Sequence, residues 1–231
     1  MVYGIPTVER LQLNEETIWT GQPNNNPNPN AKAAIPIIQK LLFEGKYKEA
    51  QDMASDKVMS GTNNGMAYQN FGNVYISTPN TNYKRELSLD SAIAVTRYTV
   101  DGVTYKREVM TSFSDNVITV KFTASKPGKI TFNANFTTPH DDVIISSENN
   151  ESVLQGVSSK LENTKGKVRF MGRMAAIAKT GEIASNATSK DGTICVKNAD
   201  EAVLYISIAT NFVDYQNITG DESAKSENYL K

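Results

Sequence analysis

Between Val74 and Phe212 the chain alternates apolar and polar residues in short runs, with turn residues between the runs. Period-two patterning puts one set of side chains on each face of a strand, and hairpin turns pair such strands antiparallel. The clearest joint is Asp101-Gly102, between "AIAVTRYTV" and "VTYKREVMTSF". Both residue types accept positive φ, as a two-residue hairpin turn demands. Ser114-Asp115-Asn116 and Lys126-Pro127-Gly128 supply the next turns. About twelve strands follow from the pattern, which predicts a mainly β fold: a large antiparallel two-sheet β-sandwich, a super-sandwich. No repeat of the kind that marks a propeller or solenoid is visible.

The first third reads differently. "VERLQLNEETIW", Val8 to Trp19, suggests two short strands, or a strand and a turn. "TGQPNNNPNPN" follows, where each proline bars helix from the residue before it and each asparagine favours local turns. Ala34, Ile35, Ile38, Leu41 and Leu42 then recur at helical spacing, with Asn30 as a candidate cap and Gly45 as a stop. A second amphipathic stretch from Lys46 to Met59 completes a helical hairpin, an insert of about 31–59 in a sandwich domain of 1–220.

With 24 basic and 25 acidic residues the net charge is -1, so no basic field draws in nucleic acid or an anionic membrane surface. No apolar run is long enough to span a bilayer. The start "MVYGIPTVERL" lacks a basic stretch followed by an apolar one, so no signal peptide is visible in this chain, and a strand-like pattern so close to Met1 suggests a chain that begins inside a larger protein.

Candidate chemistry is sparse. One histidine, His140, and one cysteine, Cys195, exclude a structural zinc site and leave a triad or a thiol nucleophile dependent on His140 alone. Cys195 reads as a small buried hydrophobe on a strand, and His140 as a strand-end turn residue or a ligand contact. No phosphate loop occurs, no metal ligand set is proposed and no cofactor is expected. Carboxylates remain. Glu15 and Glu16 lie near Trp19 in a segment with Asn14, Gln22 and Asn24 to Asn26 (the last three outside the residues the structure describes), a vocabulary suited to sugars: aromatic faces stack on C–H faces, and amides and carboxylates bond hydroxyls. The same residues also suit a solvated strand end with Trp19 anchoring a loop. Trp19 with Tyr68, Phe71 and Tyr75 is a possible stacking platform. The candidates for a ligand or domain-interface contact are Asn14, Glu15, Trp19, Tyr68, Gln69 and His140; no catalytic residue is assigned.

Six stretches carry a family resemblance: "MVYGIPTVERLQLNEETIWTGQP", "AIPIIQKLLFEGKYKEAQDMA", "YQNFGNVYI", Tyr83 to Gly128, "KVRFMGRMAAIA" and "ADEAVLYISIATNFVDY". Together they resemble, in order, the N-terminal domain of the glycoside hydrolase family 95 enzymes, the inverting α-L-fucosidases. Asn70 and Asn73 stand where that family usually has Pro and Asp. The resemblance implies a non-catalytic sandwich, then a helical linker starting at 221–231, then an (α/α)6 barrel that carries the catalytic acid and the water-activating groups. It further implies a fucosylated glycan as the parent's substrate, with α-L-galactosides as an alternative. The implied location is the bacterial periplasm or exterior. The isolated chain is expected to hydrolyse nothing, since inversion needs an acid and a second carboxylate on opposite sides of one sugar. An independent carbohydrate-binding module is the alternative reading.

Overall fold

The computed structural model describes residues 1–5, 7–23, 27–60, 66–77, 82–148, 150–161, 164–185 and 192–231. The early elements are β1 (Val2–Ile5), β2 (Val8–Leu13), α1 (Ala31–Phe43) and α2 (Tyr47–Lys57). Then come β3 (Gly72–Ser77), β4 (Asn82–Ser88), β5 (Ile93–Val100), β6 (Val103–Ser112), β7 (Val117–Ala124) and β8 (Ile130–Thr137). The remainder is β9 (Val143–Glu148), β10 (Glu151–Val157), β11 (Arg169–Lys179), β12 (Glu182–Ser185), β13 (Ile194–Ala199), β14 (Glu201–Thr210) and α3 (Glu222–Asn228). Fourteen strands among the described residues exceed the expected twelve. β1 and β12, four residues each, are too short for alternation to register.

Two antiparallel sheets form, as the alternation predicts. One runs β1-β2-β3-β8-β13-β12 and the other β4-β5-β6-β7-β14-β11-β10-β9. Leu11, Leu13, Val74, Ile76, Phe132 and Phe136 face inward from the first, and Val120, Phe122, Phe170, Met174, Leu204 and Ile206 from the second. Each such side chain contributes about 1.5–3 kcal/mol by leaving water. Phe122 and Phe132 stack across the sheets with centroids 4.0 Å apart. The Asp101-Gly102 turn is as expected: Val100 pairs with Val103, and the two turn residues have φ of 49° and 69°.

One inward position breaks the apolar rule. Glu9 lies on the core face of β2 with its side chain at 0% exposure, ion-paired to Arg107 of β6 and, at 2.8 Å, to Arg85 of β4. Burial lowers the Arg107 guanidinium to about 10. A buried carboxylate is tolerated only when paired in this way. Cys195 departs from expectation in the other direction. Its strand neighbours Ile194 and Val196 are fully buried, so Cys195 takes the opposite face and is only half-buried.

The insert is a helical hairpin, as predicted, but Asn30 caps α1 through its backbone carbonyl and not its side chain. Asn28 orders part of the polar tract instead, its amide donating to the carbonyls of Asp56 and Met59. Gly45 ends α1 with φ 75°. After β14 the polar end folds into α3, which lies on β11 and β14. Asp221 accepts from Ala224 N, Arg169 grips Glu222, Arg173 reaches Ser223 and Ser226, and Ser207 donates to the Ser226 carbonyl. No described helix is long and apolar enough to cross a membrane.

Candidate functional site

The chain leaves β2 in a turn tightened by Glu15, whose carboxylate accepts from Thr17 N at 2.8 Å and Thr17 Oγ1 at 2.7 Å. Ile18, fully buried, pins the turn to the core. Trp19 then meets Tyr68 in an isolated antiparallel bridge. Three backbone bonds extend this seam: Thr20 N to Ala67 O, Gln69 N to Ile18 O, and Phe71 N to Leu13 O. Both ends of the 20–67 excursion are therefore held on the sandwich.

Trp19 and Tyr68 are exposed, with ring centroids 5.4 Å apart and planes at 65°. Trp19 Nε1 donates to the Glu16 carbonyl at 2.8 Å and the Tyr68 hydroxyl to the Glu15 carbonyl at 3.3 Å. The rings are thus oriented before any partner arrives. Phe71 does not join them. It is fully buried, so the four-ring platform suggested by the sequence reduces to a T-shaped pair, with Tyr75 half-buried on β3.

Asn14, Glu15 and Tyr68 line one rim of an open groove of about 600 Å³. Thr111, Ser112, Phe113 and Asn116, at the β6–β7 turn, also line it, as do Lys225 and Tyr229 of the chain end. Burial pushes the Glu15 carboxyl above its ordinary value, against the pull of the Thr17 bonds. Burial, and then the charges of Glu15 and Glu16, raise the Tyr68 phenol. Lys225 is engaged by the carbonyls of Thr210 and Phe212 at 3.1 and 2.8 Å. A smaller hollow of about 280 Å³ adjoins at Thr17 and Phe212, lined by Trp19, Met66 and Tyr215.

The two carboxylates of the groove's lining, Glu15 and Glu16, come from consecutive residues, and the β6–β7 turn adds hydroxyls, an amide and the bare ring of Phe113, 98% exposed. That arrangement has the chemistry to suit polar ligands or a protein surface. It does not set an acid and a base on opposite sides of a sugar. No cluster of three metal-ligating side chains occurs among the described residues.

Gln69 and His140 sit behind this surface. The Gln69 side-chain oxygen Oε1 accepts from Ser159 N at 2.9 Å, tying the seam to the β10–β11 connection. His140 is 5% exposed, packs on Phe170 and has Nε2 2.9 Å from the Asn70 carbonyl. Both hold the Tyr68 loop in place and neither lines the groove. Phe113, Lys225 and Tyr229 escape sequence reasoning. A phenylalanine inside a Ser/Asp/Asn hairpin turn was the available signal for Phe113; nothing in the polar end marked the other two.

Over residues 1–215 the sequence matches the family model described as Glycosyl hydrolase family 65, N-terminal domain. "Alpha-L-fucosidase 2" of Arabidopsis thaliana is 34% identical over 142 residues, which are 58% of this chain and 16% of that protein. "Probable alpha-fucosidase A" of Aspergillus niger is 26% identical over 136 residues, 54% of this chain and 16% of that protein. Among solved structures, "Putative kojibiose phosphorylase from human microbiome" superposes with a TM-score of 0.42 at 12% identity, covering 71% of this chain and 25% of that one. The domain model and the two fucosidase relatives agree with the resemblance seen in the sequence, although the domain model carries the family number 65. The match to the domain model spans nearly the whole chain, whereas each fucosidase extends far beyond the matched part. The chain belongs to the family of glycosyl hydrolase family 65 N-terminal domains.

Proposed function

We propose that this domain is the non-catalytic N-terminal sandwich of an α-L-fucosidase-like glycoside hydrolase. In this reading the turns Asn14–Pro23 and Tyr68–Asn73 wall the entrance of a pocket whose catalytic groups lie in an (α/α)6 barrel of the same polypeptide. The observation that carries the reading is the Trp19–Tyr68 pair, exposed yet rigidly oriented, beside a groove that lacks opposed carboxylates. Pockets commonly form at domain boundaries, where preset aromatic rings can meet a sugar. The substrate class is a fucosylated glycan, with an α-L-galactoside as the variant the barrel's pocket would select. A periplasmic or extracellular location goes with glycan substrates and is checked by fractionating cells that make the parent protein.

The test is Trp19→Ala in the full-length enzyme. KM for a fucosylated oligosaccharide rises about fivefold, equivalent to about 1 kcal/mol, with an unchanged thermal midpoint. Unaltered kinetics overturn the entrance role. A binding module that acts alone is the second reading, favoured by the same exposed rings. It predicts saturable heat when the 231-residue chain is titrated with fucosylated oligosaccharides, whereas an entrance wall gives none.

A further inference from the structure

The α1–α2 hairpin has far more apolar surface than its own packing uses. Ten of the thirteen residues of α1 are apolar, and only Lys32, Gln39 and Lys40 are polar. Those three fall on one narrow stripe, since positions seven and eight apart share a helix face. Ala34, Ile38 and Leu41 form the face turned to α2, where Ala50 is the buried counterpart. Ile35 and Leu42 on one flank and Ile37 on the other remain 47, 45 and 50% exposed. Neither helix packs substantially on a strand of either sheet among the described residues. A helix apolar around most of its girth is ordinarily a buried helix.

We infer that the Ile35–Leu42 flank of α1 is a docking ridge for an apolar surface of the catalytic domain in the same polypeptide. The inference rests on the reading that this chain is one domain of a longer glycoside hydrolase. The occupant is argued from length: the matched segment is 16% of each curated fucosidase relative, so most of such a polypeptide lies outside the sandwich and is available to cover the ridge. The hairpin is also positioned for this. The chain leaves for the hairpin and returns from it at the Trp19–Tyr68 bridge, and Tyr68 itself lines the groove. Charge does not oppose the contact, because the hairpin's ion pairs, such as Lys48–Asp52 and Lys46–Glu44, are internal.

The experiment uses the full-length polypeptide with its other cysteines replaced by serine. Leu42→Cys and Lys40→Cys are compared for their rate of maleimide labelling, the second reporting on the polar stripe of the same helix. A covered ridge labels at position 42 at least about tenfold more slowly than at position 40. Equal rates overturn the inference. Slow labelling that recovers on dilution assigns the ridge to a second copy and overturns it as well. A result for Trp19→Ala has no bearing on these rates, so loss of the entrance role and loss of the ridge are separately visible.

Discussion

Phe71 packs against the bare backbone of Gly172: a Cβ added at Gly172 would stand 2.3 Å from Cζ of the ring. The ring cannot retreat. It meets Phe136 and Phe170 edge-on at 5.9 and 5.5 Å and is fully buried. Phe71 also follows directly on the Tyr68 loop, so core packing at β11 sets where the exposed rings stand.

Gly172→Ala therefore overpacks the core. We expect a loss of about 1–3 kcal/mol in urea unfolding, with altered near-ultraviolet circular dichroism from the Trp19–Tyr68 pair. Unchanged stability would mean that the ring has room it does not show.

The inter-sheet charges give a double-mutant prediction. Arg107→Leu leaves Glu9 short of one partner, and Glu9→Leu leaves Arg107 buried and unpaired; each costs about 3–5 kcal/mol. The double variant is far less destabilised than the sum of the two, because no uncompensated charge remains between these positions. Additive losses in urea titrations would deny the coupling.

Glu15 predicts a pH dependence. Burial favours its protonated form, so above the ordinary value of 4.5 the folded chain holds a proton that the unfolded chain has released. Its contribution is full below 4.5 and is lost as pH rises through the elevated folded value. The stability of the wild type relative to Glu15→Gln thus declines with rising pH over that window. A difference that grows with pH in parallel denaturation curves would refute the assignment.

Asp221→Ala removes the side-chain cap of α3. About 1 kcal/mol is lost, and amide exchange across 222–228 accelerates while β11 is unaffected. Equal exchange in the two proteins would show that Arg169 and Arg173 alone dock the helix.

The sandwich was legible because alternation and turn residues act locally, and the structure keeps the consecutive hairpins from β4 to β7. The helical hairpin was legible for the same reason. Other features depend on contacts remote in sequence. Phe71 and Tyr68, three residues apart, look equivalent on paper, yet Gly172, a hundred residues later, makes room for one and not the other. Glu9 resembles any solvated strand glutamate until β4 and β6 bring arginines over it. Lys225 joins the groove only because α3 folds back onto the second sheet.

The bridge between Trp19 and Tyr68 makes residues 20–67 a cassette. Its ends meet on the sandwich whatever happens between them, and closing a flexible loop twice as long adds only about 0.6 kcal/mol. Evolution, or an engineer, is free to lengthen, trim or replace the helical arm while leaving the two-sheet chassis and its paired rings in register.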